Sequence, residues 1–512
     1  MRSSSAAPFP LSNRALLASI AVVAAILVFF IGYRGTTPEG LAWLERGLTR
    51  ARALSAGNLN ALLDVEGIFA ADLAATLISA ISPTHAARNV HLLGVGCAAI
   101  STALIGALAL RLGGPRSALA ASALALGALP WLGLFGAHAP DAIVIPLTLA
   151  FLWLWTLPAI HPLGIALAAA LLALLGLSWI GAFALMILLV AAEILGDRDE
   201  EGGTILRLDH LLILAFGTAL FLSFPGFWPD PAKTIPDVFL DLLLASGPEL
   251  VFRGHTYPPT RPPLTIGPMT WLEATSPAVL LPAVFGLFLA RPWRWLRRQR
   301  LARALFALIA ASVLLPWLAR GPSAWGVDMS ALAIAALAIL SAPGVVVALS
   351  AMRAHLKPPF EKLAWIAPVL LIGVALAPAL VGPSDVFETT RYTLPARAFS
   401  EPTGHDAPAR SALLPVDFLQ QAARLHGPLD PGEFREFTDL YIAMGELDAT
   451  VVAPDDASDE RPRIIALPHF GAGPTWRAVG AGSAWRPGVL APIQGGGNFA
   501  LLLPADARDD AL

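Results

Sequence analysis

From Val90 to Gly136 the chain reads VHLLGVGCAAISTALIGALALRLGGPRSALAASALALGALPWLGLFG. Two apolar runs, near 90–110 and 117–136, are separated by Arg111-Leu112-Gly113-Gly114-Pro115-Arg116. An apolar helix of about 20 residues covers roughly 30 Å, the hydrocarbon thickness of a bilayer. Gly-Gly-Pro breaks a helix, because glycine reaches backbone angles closed to other residues and proline has no N–H to continue the ladder. The stretch is therefore expected to form two membrane-crossing helices folded back on a short basic turn.

The pattern recurs on both sides. Apolar runs near 15–33, 142–157, 208–224, 274–290, 302–319, 328–350 and 363–381 are bounded by charge, Pro or Gly. Two more, near 163–177 and 180–195, form either one long run or a short hairpin. The hairpin gives about eleven spans. It also sets the parity, so that Arg2, Arg14, Arg111–Arg116, Arg291–Arg300 and Arg353–Lys362 fall on one side, the asymmetry expected of cytoplasmic loops. Composition agrees: the 512 residues are 56% hydrophobic and 14% charged, with mean hydropathy +0.67, which is more apolar surface than one soluble core can hide.

A net charge of -3 supplies no basic field for nucleic acid. The single cysteine, Cys97, rules out an internal disulfide framework or a Cys-rich metal site and reads as a small core residue. Arg2 and Arg14 precede the apolar stretch Ala15–Ile31 in the manner of a signal peptide, but no small-residue cleavage site follows. The segment is read as a retained first helix.

The expected fold is an all-α polytopic membrane domain over residues 1–381, with large outer loops at 34–89 and 225–273. Residues 382–512 have soluble composition. Helical patterns at Val416–His426 and Glu433–Met444, an acidic turn at Asp455–Asp459 and strand-like runs at Arg463–Leu467 and Phe499–Leu503 predict a small α+β module. Gln494–Asn498 reads as a turn between strands. The parity places the N-terminus in the cytoplasm and the tail on the far side of the membrane, and the expected location is the plasma (inner) membrane of a cell envelope. No repeat of about 20–50 residues signals a solenoid.

Carboxylates at the mouth of a helix bundle are costly to bury and suited to proton transfer. Four stand out on the outer side: Glu39 in Thr37–Leu41, Asp64 and Glu66 in Leu63–Gly67, and Asp141 in His138–Asp141. Pro38-Glu39 and Pro140-Asp141 also fit an ordinary helix start, where proline costs no hydrogen bond and an acid meets the positive end of the dipole. Only a shared location favours chemistry over capping.

A second cluster is Phe252–Pro263, FRGHTYPPTRPP, followed by Trp271 and Glu273. Arg253 and Arg261 offer forked donors to phosphate oxygens, and His255 and Tyr257 add hydrogen bonds as charge builds on a leaving group. A polar loop stiffened by prolines is the plainer alternative. No P-loop, Rossmann fingerprint, His-Glu-x-x-His or Cys/His ligand spacing is present in the sequence. His85, Arg88 and His91 cluster at the entry to the 90–110 run and read as a solvated face rather than a metal site.

The order of these features resembles the glycosyltransferase C superfamily, and within it the family 39 group of protein O-mannosyltransferases and lipid A aminoarabinose transferases. Pro38-Glu39 with Leu41–Leu48 is similar to the acidic motif that opens that group's long outer loop. Ile81–Leu93 resembles the stretch, ending in an Arg, that leads into the second span, and Leu110–Leu119 the short inner turn. Asp141 stands where a polar outer turn usually carries an Asp. Tyr257–Gly286, with Pro258, Pro263, Trp271, Thr275, Pro277 and Gly286, is similar to the loop that enters a later span, and Ala324–Gly344 resembles a late segment around a Gly and Asp. The sequence departs from the family at three places. The acidic pair is reduced to Pro38-Glu39, no His-Pro-Pro lies near Asp64–Ile68, and Ser178-Trp179 occupies the place of a common lysine.

The resemblance implies transfer of a sugar from a polyprenyl-phosphate-linked donor to a lipid, glycan or protein acceptor at the outer surface. Glu39 or Asp141, with Asp64 and Glu66 as substitutes, would act as the base or orient the acceptor. Arg253, His255, Tyr257, Arg261 and Glu273 would bind the donor. A good leaving group needs no acid, and the pattern calls for no cofactor, though a divalent metal is left open. The amphipathic stretch Leu41–Leu54 would lie along the outer interface. Two other classes compete: a transporter or flippase for a lipid-linked saccharide, and a catalytically degenerate relative that only binds. Transport usually leaves ionisable residues at mid-membrane or paired repeats, whereas here the predicted spans are nearly free of charge, with Glu193 near an end.

Overall fold

The computed structural model describes residues 12–29, 38–58, 60, 69–81, 86–128, 131, 135, 140–157, 162–178, 181–194, 216–219, 221, 228–234, 236–237, 250–252, 255–257, 277–296, 299–318 and 327–355, and in the tail 419–420, 423–424, 427–431, 435–443, 447–453, 463–466, 485–487 and 499–504. Its helices are α1 (Asn13–Leu27), α2 (Pro38–Ser55), α3 (Phe69–Ile81), α4 (Ala86–Leu126), α5 (Val144–Trp155, preceded by a 3-10 turn Pro140–Ile143), α6 (Pro162–Ser178) and α7 (Gly181–Ile194). A two-stranded hairpin follows, β1 (Leu250–Phe252) and β2 (His255–Tyr257). Next come α8 (Pro277–Ala290), a 3-10 turn Pro292–Trp295, α9 (Arg300–Leu318) and α10 (Val327–His355). The tail holds α11 (Arg435–Ala443) and the strands β3 (Arg463–Ala466), β4 (Trp485–Pro487) and β5 (Phe499–Pro504).

Helix α4 is two arms. At Gly114, φ is 79° and ψ is -170°, a conformation reserved for glycine, and Pro115 opens the second arm where its missing N–H costs nothing. The arms fold against each other. Ser122 Oγ donates to the Thr102 carbonyl at 3.5 Å, and Trp131 Nε1 donates to Thr102 Oγ1 at 3.3 Å. A Cβ on Gly94 would overlap the carbonyl of Phe135. Thr102 returns its own hydroxyl hydrogen to Ala98 O at 2.8 Å, so the polar knot inside this apolar pair is satisfied.

The other helices take their direction from this hairpin. Leu17 and Ile20 of α1 meet Gly106, while Phe29, just past the far end of α1, meets His91; α1 is thus antiparallel to the first arm. Pro343 of α10 touches Gly113 beside the turn. Helix α8 lies parallel to α10, because Val279 packs with Ala338 while Ala290 comes beside Gly344. Arg111 donates from Nη1 to Thr156 Oγ1 at 2.9 Å and from Nη2 to the Thr156 carbonyl, which fixes the end of α5 at the same level. Arg300 lies over the Trp155 ring at 4.0 Å. The beginning of α1, the α4 turn, the ends of α5, α8 and α10 and the beginning of α9 therefore share one end of the bundle, with Arg14, Arg111, Arg116, Arg291, Arg294, Arg300, Arg303 and Arg353. The direction of α8 is the one that the hairpin reading of 163–195 requires, and α6 and α7 are separate helices.

The residue distribution is that of a protein solvated by lipid. Small side chains fill the interior, among them Ala98, Ala109, Ala121, Ala125, Ala304, Ala335 and Ala342, letting backbones approach closely where no hydrophobic force drives helices together. Large apolar side chains occur on both sides: Trp131, Phe135, Phe151 and Trp155 are fully buried, while Leu281 is 68% exposed, Ile187 65%, Phe288 64% and Val347 58%, a surface suited to lipid. Among the described residues, the stretch His91–Leu126, folded at Gly114, and Ala331–His355 are long and apolar enough to cross a bilayer, and Asn13–Leu27, Val144–Trp155 and Pro277–Ala290 are shorter apolar helices. The described residues are mostly helical, and the composition together with these apolar helices locates the chain in a membrane. Helices stand at the predicted spans except near 208–224, where only Phe216–Ala219 and Phe221 are described as helical, and near 363–381, which lies outside the described residues.

In the tail, β5 is the central strand of an antiparallel sheet of order β3-β5-β4, with Ile464 opposite Leu501 and Arg486 opposite Leu503. Two of these strands and α11 fall on predicted patterns, whereas β4 does not. Residues 494–498 and the expected domain boundary near 381 lie outside the described residues.

Candidate functional site

Between α1 and α4 the described residues form the helices α2 and α3. Trp43, Leu44, Leu48 and Ala51 form the buried face of α2, and α3 packs on it. The contact is close because Gly47 has no side chain: a Cβ there would stand 2.6 Å from Ala75 Cβ. Glu39 lies in the first turn of α2, one turn ahead of Trp43, so the two positions share a helix face. Asp141 lies in the 3-10 turn before α5. That turn packs against both α3 and α4. Since α5 ends beside Arg111, its beginning and Asp141 belong to the end of the bundle opposite the arginines. Glu39 follows Phe29, which meets His91 at that same end. The two acids are thus carried by elements that both pack on α3. Each also begins its element, as the capping alternative expected.

Asp64, Glu66, Arg253, Arg261 and Glu273 lie outside the described residues. His255 and Tyr257 belong to β2, which was read from sequence as part of a proline-stiffened loop. It is instead one strand of a hairpin, with Phe252 opposite His255, Val251 opposite Thr256 and Leu250 opposite Tyr257. Positions 255 and 257 therefore lie on one face of the strand. Arg253-Gly254 is the whole connection between the strands.

His91 corrects an expectation. It is 4% exposed and its ring lies 5.8 Å from that of Phe29, so it is a packed residue of the α1–α4 contact rather than part of a solvated face. Sequence reading also missed α3, whose apolar FAADLAATLISAI lies between Gly67 and Pro83, and two buried polar groups beside it. Trp43 Nε1 and Ser79 Oγ have no hydrogen-bond partner. Among the described residues no group of three or more His, Cys, Asp or Glu is assembled as for a metal.

No protein-family model and no curated protein matches the chain. Solved structures similar to it include ArnT from Cupriavidus metallidurans in the apo state, at 15% identity and TM-score 0.49 over 96% of this chain and 98% of that one. The same protein bound to undecaprenyl phosphate gives 14% identity and a TM-score of 0.47, over 96% and 97% of the two chains. The Archaeoglobus fulgidus oligosaccharyltransferase in the apo form gives 12% identity and a TM-score of 0.44, over 87% of this chain and 61% of that one. These neighbours are members of the glycosyltransferase C superfamily.

Proposed function

We propose that the chain is a membrane glycosyltransferase that moves a sugar from a polyprenyl-phosphate-linked donor to an acceptor hydroxyl or amine on the extracytoplasmic face. What supports it is the packing of α2 and of the Pro140–Ile143 turn on one helix, α3, at the end of the bundle away from the arginines. The order of motifs set out from the sequence points the same way. Glu39 or Asp141 takes the proton from the acceptor as its oxygen or nitrogen attacks the anomeric carbon, and the glycosyl–phosphate bond breaks. Arg253, His255, Tyr257 and Arg261 hold the departing phosphate, and Glu273 is a further donor-binding residue. Asp64 and Glu66 are the substitutes for the base, and a divalent metal is an addition to test rather than a requirement.

Purified protein incubated with a radiolabelled polyprenyl-phosphate sugar and an acceptor lipid extract tests this directly. Label transferred to the acceptor is the expected result. Binding without turnover would leave a degenerate binding protein in its place, and movement of the intact donor across sealed vesicles would make the chain a transporter.

A further inference from the structure

The sharpest surface feature outside the candidate site is at the opposite end of the bundle, where α8 runs into the segment Arg291-Pro292-Trp293-Arg294-Trp295. Lipid-facing Leu281, Phe285 and Phe288 are 68%, 60% and 64% exposed, and Trp293 follows at 45%. The Phe288 and Trp293 rings meet edge to face, 6.5 Å between centroids. Arg291 and Arg294 are exposed beside them. Their backbone is set by a tight turn: Arg291 has a left-handed φ of 51°, Pro292 is buried, and Arg294 N donates to Arg291 O at 3.0 Å. Past this turn α10 continues beyond Gly344, the level of Ala290, with exposed Met352 and Arg353. No carboxylate has a described side chain in α8, the turn or the end of α10.

We propose that this turn is a binding surface for the anionic headgroup of a membrane phospholipid. An aromatic pair ends an acyl-facing stripe, which is the depth at which amphipathic rings settle in a bilayer. Two guanidiniums stand immediately above it on a fixed turn, where a lipid phosphate lies and where each arginine near an anionic surface strengthens attraction. A water-soluble acidic partner would leave the Phe288–Trp293 stripe without a role, whereas a lipid covers both parts at once. The site is separate from the proposed catalytic one and does not depend on it.

The test uses the full chain in detergent, with lipids retained in native mass spectrometry counted as phosphatidylglycerol or phosphatidylcholine is added. The intact protein should retain phosphatidylglycerol at concentrations about tenfold lower than phosphatidylcholine, and salt should erode the difference. The double variant Arg291→Gly, Arg294→Gln removes both charges, and its glycine relaxes the left-handed backbone, so folding is protected. It should lose the preference, while Arg52→Gln on α2 should keep it. Trp293→Ala should weaken retention of both lipids. An equal affinity of the intact protein for the two lipids, a preference insensitive to salt, or one that survives the double variant would each overturn the proposal.

Discussion

Gly286 of α8 and Gly344 of α10 meet backbone to backbone: a Cβ on Gly344 would overlap the Gly286 carbonyl oxygen, and one on Gly286 would stand 2.6 Å from the Ser341 carbonyl oxygen. In lipid such a crossing is held by close van der Waals contact, which only small residues allow. Gly344→Leu should therefore separate the two helices and cost about 2 kcal/mol or more. Gly96→Ala is the control, since nothing lies within 4 Å of the added carbon, and it should be neutral or stabilising by up to about 1 kcal/mol. Thermal unfolding in a single detergent checks both. Equal midpoints for the two variants would show that the crossing contributes nothing.

Arg111 ties the α4 turn to the end of α5 through Thr156, whose hydroxyl also donates to Leu152 O at 2.6 Å. The last carbonyls of a helix need partners when a membrane surrounds it, and a guanidinium fork supplies two. Arg111→Gln should cost about 1–2 kcal/mol, the range for a hydrogen bond to a charged group at a partly exposed position. Thr156→Val should cost less. Together they should be less than additive, with a coupling of about 1 kcal/mol in a denaturation cycle. Strict additivity would mean that the contact is idle.

Spans were legible because a bilayer imposes a length and forbids charge, so Gly113-Gly114-Pro115 between two apolar runs already fixed the α4 hairpin. The arginine asymmetry then set directions, and α8 runs as that parity required. What escaped notice depends on partners far along the chain. Helix α3 is too short to read as a span, and it exists as the surface that meets Gly47 through Ala75. The β1–β2 hairpin has strands of three residues each, too brief for an alternation to show. His91 is buried because Phe29 covers it from another helix, which its own neighbours in sequence do not reveal. The candidate acids were legible as residues, but their common support, α3, was not.

A base that removes the acceptor proton contributes typically 100- to 10,000-fold. If Glu39 is that group, Glu39→Gln should lower kcat by about 100-fold or more in the labelled-donor assay while donor KM changes little. Asp141→Asn should act on acceptor KM if its carboxylate orients the acceptor. Reversed effects would exchange the two roles. Full activity in both variants would remove the acids from the mechanism and leave them as helix starts.

His255 and Tyr257 share one face of β2, so they are expected to act on the same ligand. Tyr257→Phe removes one hydrogen bond and keeps the ring, and should raise donor KM about threefold to tenfold. Thr256→Val, on the other face, should be silent. Isothermal titration with the polyprenyl phosphate product, which carries the phosphate but no sugar, should report the same order. Loss of product binding in Thr256→Val instead would put the ligand on the wrong side of the hairpin.

Sidedness can be settled by labelling, because the one native cysteine, Cys97, is only 7% exposed and gives little background. Ser350 near the end of α10 is exposed at the arginine end of the bundle, and Asn58 after α2 is exposed and is expected at the other end if α2 lies along the interface. Helix α11 of the tail packs against α2, and Asp439 on it is exposed. Cysteines placed at 58 and 439 should therefore react together with an impermeant maleimide added outside intact cells, and a cysteine at 350 only after permeabilisation. The positive-inside asymmetry determines which group is external. If 439 reacted with 350 rather than with 58, the α2–α11 contact would be wrong. If 58 were reached only from the cytoplasm, the proposed site would open to the wrong compartment for an extracytoplasmic transferase.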